Sequence, residues 1–212
     1  MLPFVLALPV FAGTSAKQVI PPPANPCLTS WFVGASAGYL LDREEMMYNA
    51  HVGVTNPCWM IGGWNISAFA EVGYTEQDWT ESWTEGLSPR VDVYTEHTDV
   101  TIVPITANIK FERALSGNLN AYFGAGVGMA WIDADGHGTA APYLKPSYSY
   151  SYSDSDWVFT AQVFAGLSYK VSPVFEIYGG ARWIYLADAN MFGETQNIDD
   201  DWLLELGARY KF

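Results

Sequence analysis

Apolar and polar residues alternate with a period of two along most of this chain. From residue 31 the odd positions read Trp31, Val33, Ala35, Ala37, Tyr39 and Leu41, and the even positions Phe32, Gly34, Ser36 and Gly38. The same alternation recurs over 48–54, 64–74, 103–111, 119–131, 157–171, 175–185 and 202–212. Successive side chains of a strand point to opposite faces, so each segment predicts a strand with one apolar and one polar face. Eight strands is an even number, which suits antiparallel closure into a barrel.

The connections sharpen this expectation. Leu115-Ser116-Gly117-Asn118 and Ser172-Pro173 read as tight turns, and Asn56-Pro57-Cys58 opens another. Between them lie acidic, polar stretches at 42–45, 76–99, 133–156 and 188–201, which predict longer loops at the other end. Short turns at one end and long loops at the other mark an up-and-down transmembrane barrel with periplasmic termini. Alternation alone does not say which face is outside. A soluble, lipocalin-like barrel alternates equally well with its apolar face inward. Two features favour the membrane. The polar face is rich in Gly, which suits a narrow lumen crossed by a few long side chains. Trp and Tyr sit near strand ends on the apolar face, as at Tyr39, Tyr48, Trp131, Trp157, Tyr185 and Trp202, where interfacial girdles form. The fold class expected is therefore all-β, an eight-stranded antiparallel up-and-down transmembrane β-barrel over residues 31–212.

Composition agrees and removes other classes. The chain has 212 residues, half of them hydrophobic and 16% aromatic, with a mean hydropathy of +0.04. No window holds 18 consecutive apolar residues, which argues against a helical span. Acids outnumber bases 23 to 10, for a net charge of −13, so the chain is a poor partner for nucleic acid. Residues 2–12 are a short apolar run, and Thr14-Ser15-Ala16 fits a small-x-small cleavage site. Residues 1–16 are therefore expected to be a signal peptide, although no Lys or Arg precedes the apolar run. Residues 17–30, with Pro21-Pro22-Pro23 and Pro26, read as an extended periplasmic tether.

Opposite charges share the polar face of the strands, and burying them singly would cost several kcal/mol. An internal network is predicted among Glu71, Lys110, Glu176, Arg182, Glu205 and Arg209. Cys27 and Cys58, each after Asn-Pro, fall at the same end of the layout in an oxidising compartment, which suggests a disulfide clamp for the tether. Without nearby His they do not form a zinc site. The loops are acidic: 76–99 holds seven acids and 188–201 five. A solvated surface is the plain reading, and Asp199-Asp200-Asp201 the best candidate for a divalent cation. The repeat Tyr148-Ser149-Tyr150-Ser151-Tyr152 would extend a hairpin beyond the membrane with Tyr on one face, a low-entropy surface for recognising a ligand. No spacing ties His51, His97 or His137 to a serine, so no enzyme and no cofactor is expected.

Three segments resemble the small OmpA/OmpX-type outer-membrane barrels, the outer membrane protein β-barrel domain group. They are Trp31-Phe32-Val33-Gly34-Ala35-Ser36-Ala37-Gly38-Tyr39, Tyr122-Phe123-Gly124-Ala125-Gly126-Val127-Gly128 and Leu204-Glu205-Leu206-Gly207-Ala208-Arg209-Tyr210-Lys211-Phe212. The resemblance implies a bacterial outer-membrane location among lipid and lipopolysaccharide. It also implies that Tyr210 and Phe212 signal to the barrel-assembly machinery. It does not extend to the peptidoglycan-binding domain of full-length OmpA, so cell-wall anchoring is not implied. The role expected is structural or surface-interacting, around a closed polar lumen. The alternatives are a lipid-modifying barrel enzyme and a soluble lipocalin-like binder.

Overall fold

The computed structural model describes residues 27–87, 90–143 and 145–212. The signal peptide expected over 1–16 and most of the tether expected over 17–30 lie outside the described residues. Eight strands make one closed antiparallel barrel: β1 (Ser30–Leu40), β2 (Met46–Ile61), β3 (Trp64–Leu87), β4 (Arg90–Ser116), β5 (Leu119–Ala141), β6 (Tyr148–Lys170), β7 (Phe175–Leu186) and β10 (Asp201–Lys211). A small hairpin, β8 (Ala189–Met191) with β9 (Glu194–Gln196), lies between β7 and β10. Each barrel strand pairs with its chain neighbours, and β1 closes the ring on β10 in the register Ala35↔Ala208. At the seam the Trp31 amide donates to the Phe212 carbonyl at 3.1 Å, and the Phe212 amide to the Trp31 carbonyl at 2.9 Å.

The apolar face of the alternation points outward on every strand. Val33, Val52, Val72, Ile105, Val127, Val163 and Leu204 are all exposed. A continuous exposed apolar belt of this extent is unstable in water and stable in lipid. Toward the loop end the belt is edged by Tyr39, Tyr48, Tyr74, Trp157, Tyr185 and Trp202, also exposed. The apolar face is therefore lipid-facing, and the soluble inside-out arrangement is excluded.

Four expectations need correction. The turn after β2 is not at Asn56-Pro57-Cys58. The strand continues to Ile61 through an irregularity between Thr55 and Met60, and the chain reverses at Gly62-Gly63. Both glycines have positive φ, as a two-residue hairpin turn requires. The stretches 76–87, 90–99, 133–141 and 148–156, expected within loops, are strand. They are the upper halves of β3, β4, β5 and β6, paired as far as Leu87↔Arg90 and Val93↔Ala141. Thr, Val, Tyr and Trp recur through 76–99, and this β-forming content outweighs the charge. The stretch 188–201 contains the β8–β9 hairpin. Finally, the lumen is not polar throughout, and its buried ion-pair clusters lie in the half nearer the termini. The half nearer the loops is filled by Leu40, Met47, Ile102, Ile132, Ile184 and Leu203, all buried.

The four long strands change the shape of the molecule. Pairing of β4 with β5 runs ten residues beyond Trp131. At a rise of about 3.3 Å per residue, such a stretch extends roughly 30 Å along the strands. A four-stranded sheet, β3-β4-β5-β6, thus stands clear of the membrane belt on one side of the mouth. The repeat at Tyr148–Tyr152 lies in it as the start of β6, with Tyr150 and Tyr152 on the face continuous with the lumen.

An intact barrel should resist SDS until boiled, so the outer-membrane fraction should show heat-modifiable migration. Gly128→Val should abolish the compact unheated band, because a Cβ there would overlap the Ile105 carbonyl oxygen. An unchanged compact band would show that β4 and β5 are not packed in this register.

Candidate functional site

The lumen near the termini is closed by two linked charge clusters. In the first, Arg182 lies between Glu71 and Glu205. It makes a short pair with Glu71 and a 3.0 Å contact with Glu205. Gln162 donates to Glu71 at 3.1 Å and to Asn108 at 2.6 Å, and Ser36 donates to Glu205 at 3.1 Å. In the second, Glu176 receives Lys110 at 3.8 Å, Arg209 at 3.5 Å and Lys211 at 3.4 Å, while Glu112 makes a short pair with Lys110. Four carboxylates meet four cations, so the buried charge balances. His51 joins the clusters: Arg209 Nε donates to its Nε2 at 3.4 Å, and its Nδ1 lies 3.8 Å from Glu71.

The structure thus brings together Glu71, Arg182 and Glu205 in one cluster and Lys110, Glu176 and Arg209 in the other. The sequence-based set omitted Glu112, Lys211, Gln162 and His51. All four share the inward parity of their strands, so full use of the alternation finds them. Aromatic rings fill the space between the clusters. Arg209 lies 4.4 Å from the Phe32 ring centroid, and Arg182 lies 5.4 Å from that of Phe164. The void left among these groups is about 10 Å³. That is at or below the room one water needs.

Cys27 and Cys58 are joined, with their Cα atoms 5.2 Å apart. Asn56 braces the same corner. Its side chain donates to the Cys27 carbonyl at 2.9 Å and accepts from the Cys58 amide at 2.8 Å. The disulfide therefore fixes the entry of the chain to the bulged end of β2. At the seam, the Tyr210 and Phe212 side chains face outward and are exposed.

The loop end carries a different site. Beneath the projecting sheet opens a cavity of about 800 Å³. Ile102, Ile132, Ala134 and Met191 line its floor, and these belong to the apolar cluster that fills the upper lumen. Trp79, Glu96, Thr98 and Tyr152 line one wall. Tyr150 and Tyr152 reach across β5, over Gly138 and Gly136, where a Cβ would overlap the tyrosine rings. Both hydroxyls donate to Glu96, from Tyr150 at 3.2 Å and from Tyr152 at short range. Partial burial, and this bond to a carboxylate, raise the Tyr152 hydroxyl above the usual phenol range. The phenol therefore stays neutral and donating at physiological pH.

The opposite wall is the β8–β9 hairpin. Asp156 accepts the Asn190 amide at 2.8 Å, and Asp154 accepts the Phe192 amide at 2.5 Å. Asp201 anchors the first loop through the amides of Asp42 and Arg43 at 3.0 and 3.1 Å, and pairs with the Arg43 guanidinium at 3.4 Å. Asp199-Asp200-Asp201 does not gather into a cation cage. Asp201 is engaged with Arg43, and among the described residues no group of three or more His, Cys, Asp or Glu side chains converges on one point.

One polar chain lies on the outer face of the projecting sheet. His97 Nδ1 lies 2.9 Å from the Thr80 hydroxyl, and its Nε2 lies 3.2 Å from Asp99. The His137 ring stands edge-on at 5.0 Å. A hydroxyl, an imidazole and a carboxylate in line are the elements of a nucleophilic triad. A triad also needs donors for an oxyanion; β4, which carries His97 and Asp99, is paired on both sides here, whereas β3, which carries Thr80, pairs with β4 alone beyond Thr75.

A closed eight-stranded ring with a lipid-facing belt, aromatic edges and a filled lumen defines a small outer-membrane β-barrel. No family model and no curated protein sequence matches the chain. Solved structures do. A major outer membrane protein from Thermus thermophilus aligns over 87% of this chain and 100% of its own, at 12% identity and a TM-score of 0.53. Neisserial surface protein A aligns over 87% and 97%, at 16% identity and a TM-score of 0.47. Outer membrane protein H of P. aeruginosa aligns over 86% and 99%, at 16% identity and a TM-score of 0.46. At these identities the likeness is one of fold alone, that of a small outer-membrane β-barrel.

Arg182→Met strands two buried carboxylates and should destabilise the barrel by about 3–5 kcal/mol in reversible urea unfolding from lipid. Adding Glu71→Gln and Glu205→Gln should restore much of that loss. Equal stability of Arg182→Met and the unaltered protein would show that the cluster is hydrated rather than closed. Mass analysis without reductant should find no free thiol.

Proposed function

We propose that this protein is a sealed barrel of the bacterial outer membrane, surrounded by lipid and lipopolysaccharide, that serves as a rigid mount for its projecting sheet. Its role on this reading is structural and contact-making at the cell surface rather than conductive. The observation that carries it is the double closure of the lumen: balanced ion pairs near the termini and an apolar plug near the loops. A barrel of eight strands leaves little more room than its own side chains occupy. Ions would have to cross both layers, and the void among the charged groups is about 10 Å³.

The sheet supports the contact role. It is built from continuous barrel strands, so its geometry is set before any partner arrives, and little ordering entropy is lost on binding. Tyr150, Tyr152 and Trp79 are amphipathic rings of the sort that make recognition surfaces. On the same reading, outward-facing Tyr210 and Phe212 at the closing seam meet the barrel-assembly machinery during insertion.

The Thr80, His97 and Asp99 chain favours a second reading, a lipid-modifying enzyme acting at the outer face. It ranks below the first because Thr80 is exposed and the His97 and Asp99 side chains are 33% and 38% exposed, on a face open to water.

Two measurements separate the readings. In planar bilayers the purified protein should show no large, long-lived openings; such openings would overturn the sealed-barrel role. Cells expressing the protein should keep an unchanged lipid A profile. A profile that changes on expression, and reverts in a His97→Ala variant that keeps heat-modifiable migration, would establish the enzyme instead.

A further inference from the structure

We propose that the loop-end cavity binds a small organic cation, one that carries its charge on an aryl or alkyl body. This goes beyond the contact role and rests only on the barrel and the walls of its mouth.

Size and floor come first. The cavity volume is about 800 Å³. Small-molecule sites usually span roughly 300–1,000 Å³. Ile102, Ile132 and Met191 at the floor are 5%, 0% and 7% exposed, so the base is packed, apolar and fixed. An apolar body seated there leaves water without displacing any paired polar group.

The walls supply attraction for positive charge. Trp79, Tyr152 and Phe192 all line the cavity, and the last two meet edge to face with centroids 5.1 Å apart. The negative faces of aromatic rings attract cations, ammonium groups above all. Glu96 stands on the same wall, held in place by two tyrosine hydroxyls, so its charge is already oriented. Asp42, Asp199 and Asp200 also line the cavity. The lining cation, Arg43, is engaged by the Asp201 carboxylate and by the Asp199 carbonyl at 2.6 Å.

The field of the whole loop end acts in the same direction. It carries nineteen of the 23 acids but three of the ten Lys and Arg residues: Arg43, Arg90 and Lys145. A field of one sign over a concave site concentrates ligands of the other sign. Anions are therefore disfavoured, and a neutral apolar molecule gains nothing from the acids. A bare divalent metal needs several oxygens converging on one point, which the described residues do not provide. An organic cation uses the floor, the rings and the charge together.

The test uses the full barrel in nanodiscs of zwitterionic lipid, titrated with benzyltrimethylammonium and, in parallel, with benzenesulfonate. The cation should bind saturably, and more weakly as salt rises. Glu96→Gln keeps an acceptor for the tyrosines but removes the charge, and should weaken binding about fivefold or more. Trp79→Ala should do the same, while Tyr152→Phe, which retains the ring, should bind more tightly than either. Each variant is first checked for heat-modifiable migration, which separates a lost site from a lost barrel. Absence of saturable binding to the unaltered protein would overturn the proposal. So would unchanged affinity in both Glu96→Gln and Trp79→Ala, or equal affinity for benzenesulfonate. None of these results bears on conductance or lipid A, so the sealed-barrel role stands or falls separately.

Discussion

A bilayer offers no water to an unpaired backbone amide, so a membrane-spanning sheet has to close on itself. The rest of this molecule depends on that requirement. Closure brings β1 to β10, and therefore brings both ends of the barrel segment to one rim, where Trp31 and Phe212 exchange backbone hydrogen bonds. Closing with eight strands also sets the bore. A bore that narrow has to be filled, and its glycines make room for the few long side chains that fill it. Gly126 lies against Asn108, and Gly166 and Gly180 lie against the Tyr122 hydroxyl. In so dry a space an unmatched charge would be expensive, which explains why four carboxylates and four cations occur there together.

The barrel was readable in the sequence because period-two alternation is what closure in lipid demands of every strand. The same logic identified Glu71, Lys110, Glu176, Arg182, Glu205 and Arg209 as inward. What escaped notice did so for physical reasons. In 76–99 and 133–156 the outward face is largely polar, so the apolar and polar contrast that marks a membrane strand disappears. The remaining signal, recurrent Thr, Val, Tyr and Trp, is weaker than the charge laid over it. The apolar upper lumen was obscured differently. Leu40, Met47 and Ile102 sit at inward positions beside outward apolar residues, so local alternation fades where both faces are apolar. The cavity walls were beyond reach, because Trp79, Glu96, Tyr152 and Phe192 come from β3, β4, β6 and the β8–β9 turn. Only the three-dimensional register places them together.

The two halves of the lumen do different work because their neighbours differ. Near the termini, charges cross the bore and tie strands that are not adjacent in the sheet: Arg182 on β7 reaches Glu71 on β3, and Lys110 on β4 reaches Glu176 on β7. These ties brace the ring against ovalisation, since any flattening would pull ion pairs apart in a medium that cannot solvate them. Near the loops the filling is largely apolar, and it continues without a break into the floor of the mouth.

That continuity ties the outer site to the barrel. A polar plug carried up to the rim would have left a hydrated funnel, in which water competes for every charge and ring. With the apolar plug on top, a molecule entering the mouth meets a dry base, and the acids of the rim act across a surface of low polarizability. Electrostatic attraction strengthens as solvent is excluded. The same acids spread over a flat, wet surface would hold a cation only loosely. Set above Ile102 and Ile132, with Glu96 fixed by two tyrosines, they act on a ligand that has already given up part of its water.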